Sequence, residues 1–106
     1  MIKISFLYND TGSIIGFDFK GHAGYAESGH DIVCAAVSAL VFNTVNSIQE
    51  FTDSEFDIDM DEKKGHIYFK VKGIPDEKTQ LLLNSLKLGI GDILKSYGKK
   101  YLRIEN

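Results

Sequence analysis

Hydrophobic and polar positions change their period several times along the chain, and each change coincides with a turn signal. Ile2, Ile4, Phe6 and Tyr8 alternate with Lys3 and Ser5, which predicts a strand over 2–8, and "NDTG" follows as a hairpin-type turn. Residues 13–20 alternate again, with Ile15, Phe17 and Phe19 opposed by Gly16, Asp18 and Lys20. His22 then emerges beyond the end of this second strand, on its polar side. From Asp31 the period becomes helical. Val33, Val37, Leu40, Val41, Ile48 and Phe51 share one face, and neither Gly nor Pro interrupts before residue 65. This predicts a long, largely buried helix capped by Asp31. Phe56, Ile58 and Met60 alternate with carboxylates, "DEKKG" turns, and Ile67, Phe69 and Val71 complete a second hairpin. "IPDEKTQ" opens a second helix with acidic residues in its first turn; Leu82, Leu86, Ile90, Ile93 and Tyr97 form its apolar stripe and Gly98 stops it. Gly89 and Gly91 weaken that helix and point to close packing there. "KKYLRIEN" adds a short fifth strand.

Two hairpins, each followed by a helix, argue for an α+β fold: a two-layer sandwich with two helices on one face of a mostly antiparallel sheet. The chain of 106 residues suits a single domain over 1–106, since no Pro/Ser-rich linker or low-complexity tract divides it. The two halves echo each other in element order, but their residues do not match as a duplication. A net charge of −3 provides no overall basic field, which argues against direct nucleic-acid binding. The chain opens without a basic-then-apolar leader, and its apolar runs look too short for the roughly 20 residues that span a bilayer. Neither secretion nor a membrane location is expected. A single cysteine builds no disulfide framework and suits a reducing compartment, so a cytoplasmic setting is expected.

In "TDSEFDIDMDE", Asp53, Glu55, Asp57, Asp59 and Asp61 fall on one face of the third strand, opposite Phe56, Ile58 and Met60. Such an acidic stripe reads first as a solvated face that resists aggregation, and second as a surface that steers a basic partner. The three histidines match no paired-ligand or HExxH spacing, and "GHAG" lacks the spacing and lysine of a phosphate-cradling loop. No metal and no cofactor is expected.

The remaining chemistry concentrates in "GHAGYAESGHDIVCAAVSAL", residues 21 to 40. With Asp31 as N-cap, Cys34 occupies the third helical position, in the first turn. The helix dipole favours a negative charge there by about 0.3–1 kcal/mol, less than the 1.36 kcal/mol of one pKa unit. A good nucleophile at neutral pH needs more, and a nearby imidazole supplies it. His22 is the admissible partner, because the eleven residues between it and Cys34 include Gly24 and Gly29 and allow the chain to fold back. His30 sits just outside the cap as a bystander, and nothing in the sequence brings His66 to the thiol. Asp31, Cys34 and Ser38 share a helix face, so Asp31 can cap or orient a histidine, and Ser38 can hydrogen-bond into the site. On these residues alone a packed thiol in "VCAAV" remains open beside a nucleophile.

The same segment, set after two strands in a chain of this length, resembles the ribosomal-processing cysteine protease (Prp) family of bacteria. The likeness runs through the "MI" start, "GFDFKGHAGYA", "GHDIVCAAVSAL" and "TQLLLNSLKLGI", and no departure from the motif is found. It implies His22 and Cys34 as a catalytic dyad, acting through a thioester on a large-subunit ribosomal protein precursor. A short N-terminal extension is expected to be removed after an aromatic residue, which implies an apolar pocket. It further implies a homodimer and a mobile loop containing Gly24 and Gly29. Two alternatives stand beside it: a noncatalytic ribosome-associated module with a structural thiol, and a thiol redox sensor with no need of a histidine.

Overall fold

A computed structural model describes residues 1–27 and 30–106. The elements follow the order β1 (Ile2–Tyr8), β2 (Ile14–Lys20), α1 (Ile32–Phe51), β3 (Phe56–Asp61), β4 (His66–Val71), α2 (Glu77–Tyr97) and β5 (Leu102–Ile104). The five strands form one sheet in the order β3-β4-β2-β1-β5. All neighbours are antiparallel except β1 and β5, which run parallel with Ile2 beside Leu102. The expected α+β architecture is therefore present, fifth strand included.

Alternation places Ile4, Phe6, Phe17, Phe19, Phe69 and Val71 on the inner face, where the helices bury them with Val33, Val41 and Ile48 of α1 and Leu83, Leu86 and Ile90 of α2. Phe69 stacks on Phe17 at 5.0 Å between ring centroids and meets Phe56 at 4.8 Å, so three strands are joined by aromatic contacts. One detail differs from the alternation read above. The β1–β2 register shifts between Leu7 and Tyr8, and Ile14 rather than Ile15 is fully buried.

The acidic stripe is shorter than expected. β3 starts at Phe56, so only Asp57, Asp59 and Asp61 lie on it, opposite Lys70, Tyr68 and His66, while Asp53 and Glu55 precede the strand. The apolar run of α1 is longer than expected: by length and composition this 20-residue helix, with mean hydropathy 1.5, passes for a membrane span. Its buried stripe from Val33 to Ile48 and its packing against α2 make it the core helix of the sandwich instead.

The glycines of α2 separate into two cases. A Cβ at Gly89 would meet Leu40 Cδ1 of α1 at 2.8 Å, which is the close packing the sequence pointed to, whereas a Cβ at Gly91 meets nothing within 4 Å. Gly91→Ala is expected to stabilise the protein by about 0.5–1 kcal/mol through the helix preference for alanine. Thermal unfolding checks this, with Gly89→Ala as the contrasting variant that gains less or loses.

Candidate active site

The candidate residues meet at one end of the sheet, where β2 finishes, β4 starts and α1 begins. Beyond β2, Gly21 N–H donates to the Gly65 carbonyl at 3.1 Å, which carries the β2–β4 ladder one step past the strands. Gly65 has φ +62°, and a Cβ there would lie 2.6 Å from Gly21 O and 2.9 Å from His22 Cε1. Only glycine lets the β3–β4 turn come this close to the histidine. His22 is exposed on this turn, and its ring Nε2 lies 3.2 Å from the Lys63 carbonyl oxygen.

Ala23, the next residue, is buried, and its N–H donates to Cys34 Sγ at 3.1 Å. That contact fastens the strand end to the first turn of α1. Asp31 caps the helix as expected: Oδ1 accepts from the N–H groups of Val33 and Cys34, both at 3.0 Å. Its other oxygen, Oδ2, accepts from Tyr25 N–H at 3.0 Å, so one carboxylate ties the loop to the helix. Asp31 orients no histidine among the described residues. Tyr25 then lays its ring edge-on against Tyr97 and Tyr101, at 5.9 and 5.2 Å, anchoring the loop to the end of α2 and the approach to β5.

The electrostatics of the thiol differ from the helix-dipole expectation. Burial pushes the Cys34 thiol above its ordinary pKa, and the Asp31 carboxylate, which accepts from the thiol, pushes in the same direction; the Ala23 N–H opposes both. Burial also raises Asp31, but the N–H groups of Cys34 and Tyr25, the Cys34 thiol and the Ala26 N–H outweigh it and hold the carboxyl below its usual value. A charged Asp31 therefore faces a protonated thiol. Alkylation of Cys34 by iodoacetamide is expected to titrate above the ordinary cysteine value of about 8.5. Asp31→Asn keeps a cap and removes the charge, so the alkylation midpoint moves down; an unmoved midpoint would show that the carboxylate does not act on the sulfur.

Cys34 and His22 do not hydrogen-bond each other, but both line the same two clefts. One, of about 270 Å³, has an apolar wall of Phe19, Val37, Val41, Phe42, Met60 and Ile67 beside the sulfur, an apolar pocket of the kind the resemblance implies. The other opens over Gly24, Ala26, Asp31 and Lys63. Ser38 lines both, one turn along α1 from the sulfur, and its hydroxyl has no hydrogen-bond partner among the described residues. Gly24, at φ +72° with open space around it, needs glycine for its backbone alone. Gly29 lies outside the described residues. His30 is exposed and lines neither cleft.

Two features of the site went unread in the sequence. His66, which nothing in the sequence brings to the thiol, lines the apolar cleft, because the pairing of Phe19 with Ile67 sets it beside the end of β2. It is held by Asp18 at 2.6 Å from Nε2 to Oδ1. The Lys63 carbonyl on His22 is a backbone group, and residue identity carries no mark of it. The Val33 and Cys34 N–H groups, natural oxyanion donors by position, are already engaged by Asp31.

Comparison with known proteins gives a consistent answer. The family model described as "Cysteine protease Prp" matches residues 1–102. The ribosomal processing cysteine protease Prp of Staphylococcus aureus is 33% identical over 99 residues, covering 93% of each chain. Its Bacillus subtilis counterpart is 33% identical and covers 98% of this chain and 96% of its own. A crystal structure of the Staphylococcus aureus protease with a covalently linked product peptide superposes with a TM-score of 0.92 at 33% identity, over 98% of this chain and 97% of that one. A structure from Streptococcus mutans gives 0.81 at 32%, over 98% and 95%. The match runs from β1 to the start of β5, and the chain belongs to the Prp family of cysteine proteases.

Proposed function

We propose that this protease removes a short N-terminal extension from a bacterial large-subunit ribosomal protein precursor, with Cys34 as nucleophile and His22 as its base. The observation that carries this reading is the convergence of a half-buried thiol, an exposed imidazole and an apolar cleft at one end of the sheet. The ribosomal processing named for the relatives, and the product peptide linked to one of them, support the substrate class.

In this mechanism His22 takes the proton from Cys34 and the sulfur attacks the scissile carbonyl. The collapsing tetrahedral species expels the amine, which His22 protonates, and water releases the acyl group from the thioester. In the resting state the raised thiol pKa keeps sulfur protonated, so attack waits for His22 to engage it. Ala23 N–H, which already donates to the sulfur, is the backbone donor best placed to follow the negative charge from thiolate to oxyanion. The apolar cleft receives an aromatic side chain on the acyl side of the cut. Asp31 and Ser38 support the site, Asp31 by fixing helix and loop together and Ser38 from the cleft wall. The loop at Gly24 moves to admit the peptide.

The same reading places the enzyme in the cytoplasm, as a homodimer that needs no metal or cofactor and touches neither nucleic acid nor membrane. Leu81 and Leu88, exposed and seven residues apart on α2, form an apolar pair that a second copy would cover. The three carboxylates of β3 draw a basic precursor toward the site. The test is trimming of a precursor that retains its extension, by wild type, Cys34→Ala and His22→Ala. Trimmed product from Cys34→Ala at the wild-type rate overturns the assignment.

A further inference from the structure

We infer that the β3–β4 turn acts as the third member of the site: the Lys63 carbonyl fixes the tautomer and orientation of His22, leaving Nδ1 as the basic nitrogen. A carbonyl oxygen can only accept a hydrogen bond, so a ring nitrogen held 3.2 Å from it must carry the proton. Nε2 is that nitrogen. In the neutral ring the lone pair then resides on Nδ1, and that nitrogen receives the Cys34 proton. This is the work a carboxylate does in a triad, holding the imidazole in one tautomer and one orientation. Here a backbone dipole does it, with no carboxylate on the His22 ring among the described residues.

The turn is built to deliver that carbonyl. Lys64 N–H donates to Asp61 Oδ1 at 3.2 Å and Gly65 N–H to the Glu62 carbonyl at 3.2 Å, which close the turn around Lys63. Gly21 N–H on the Gly65 carbonyl then docks the turn onto the end of β2, one residue before the histidine. Gly65 allows the approach, since any side chain there collides with Gly21 O and with the His22 ring itself. When the ring becomes imidazolium, Nε2–H still donates to Lys63, so the carbonyl serves both protonation states and the ring need not turn between taking and returning the proton. Lys63 and Gly65 are positioning residues acting through His22; neither touches the reacting atoms.

This inference rests on the dyad reading for its role in catalysis, but its geometry is testable without catalysis. The 106-residue chain is within reach of chemical synthesis with ¹⁵N in the His22 ring alone. At a pH where the ring is neutral, the expected spectrum has a protonated Nε2 and a bare Nδ1. A protonated Nδ1, or an even mixture, overturns the inference whether or not the enzyme cleaves anything. The second measurement replaces the Lys63–Lys64 amide by an ester, which makes the Lys63 carbonyl a weaker acceptor and also removes Lys64 N–H. Asp61→Ala removes the partner of that N–H together with one β3 carboxylate, and because steering acts on association, its kcat measures the second effect. Beyond the Asp61→Ala value, kcat for the ester is expected to fall about tenfold with KM nearly unchanged, and the His22 tautomers to mix. An ester variant that matches Asp61→Ala in both kcat and ring ¹⁵N shifts overturns the positioning role. Failure of wild type to trim any precursor overturns the dyad reading and leaves the tautomer result standing.

Discussion

Cys34→Ser is expected to lower kcat/KM for a precursor peptide by about 10³-fold or more, although it exchanges a single atom and leaves the cap, the loop and the cleft in place. Even the thiol is not poised in the resting site, since burial and the Asp31 carboxylate hold its proton on. A hydroxyl gives up its proton far less readily, and the Lys63 carbonyl beside His22 brings no charge that would offset this. The loss should fall in kcat, because binding relies on the apolar wall of the cleft, which the substitution does not touch. On the proposed dyad, His22→Ala should cost about 10²–10⁴-fold, since proton transfer in both halves of the reaction would pass through it. Single-turnover kinetics with the acyl-enzyme followed by mass spectrometry checks both. A Cys34→Ser enzyme within tenfold of wild type would mean that sulfur chemistry is not rate-determining and that another group attacks.

The largest effect on stability is expected from Phe69→Ala, at about 3–5 kcal/mol. Phe69 is fully buried at the middle of β4, stacked on Phe17 of β2 and tilted against Phe56 of β3. Removing its ring opens a cavity among groups that cannot collapse into it, because the strands on both sides are fixed by their ladders. For a domain of this size the melting temperature should drop by about 15 °C or more. Phe69→Leu, which refills most of the volume, should recover over half of the loss. If Phe69→Ala melts within a few degrees of wild type, the aromatic contacts do not hold the sheet together.

The elements were legible because their signals are local. Period-two alternation, Asp31 at the start of α1 and Gly98 at the end of α2 each act within a few residues, and the observed caps sit at those positions. His22 and Cys34 were legible as candidates because their residue types are rare in this chain and share one short segment. What escaped depends on pairing between distant strands. The β2–β4 register sets His66 beside Asp18 and Gly65 beside Gly21, and only then does the Lys63 carbonyl reach a histidine 41 positions away. The raised thiol pKa escaped for a related reason. A helix start favours the thiolate in isolation, but burial of the sulfur, joined by the carboxylate that caps the helix, reverses the preference.

The anchoring of Tyr25 on Tyr97 and Tyr101 has a consequence for the order in which the enzyme becomes competent during synthesis. Ile2 N–H donates to the Tyr101 carbonyl, and β5 pairs with β1, so both the start of the sheet and the loop beside the thiol wait for residues 97–104. A nascent chain can expose its thiol and its histidine early, yet the loop between them lacks its aromatic anchor until those residues have left the ribosome. That anchor is thus among the last contacts of the site to form.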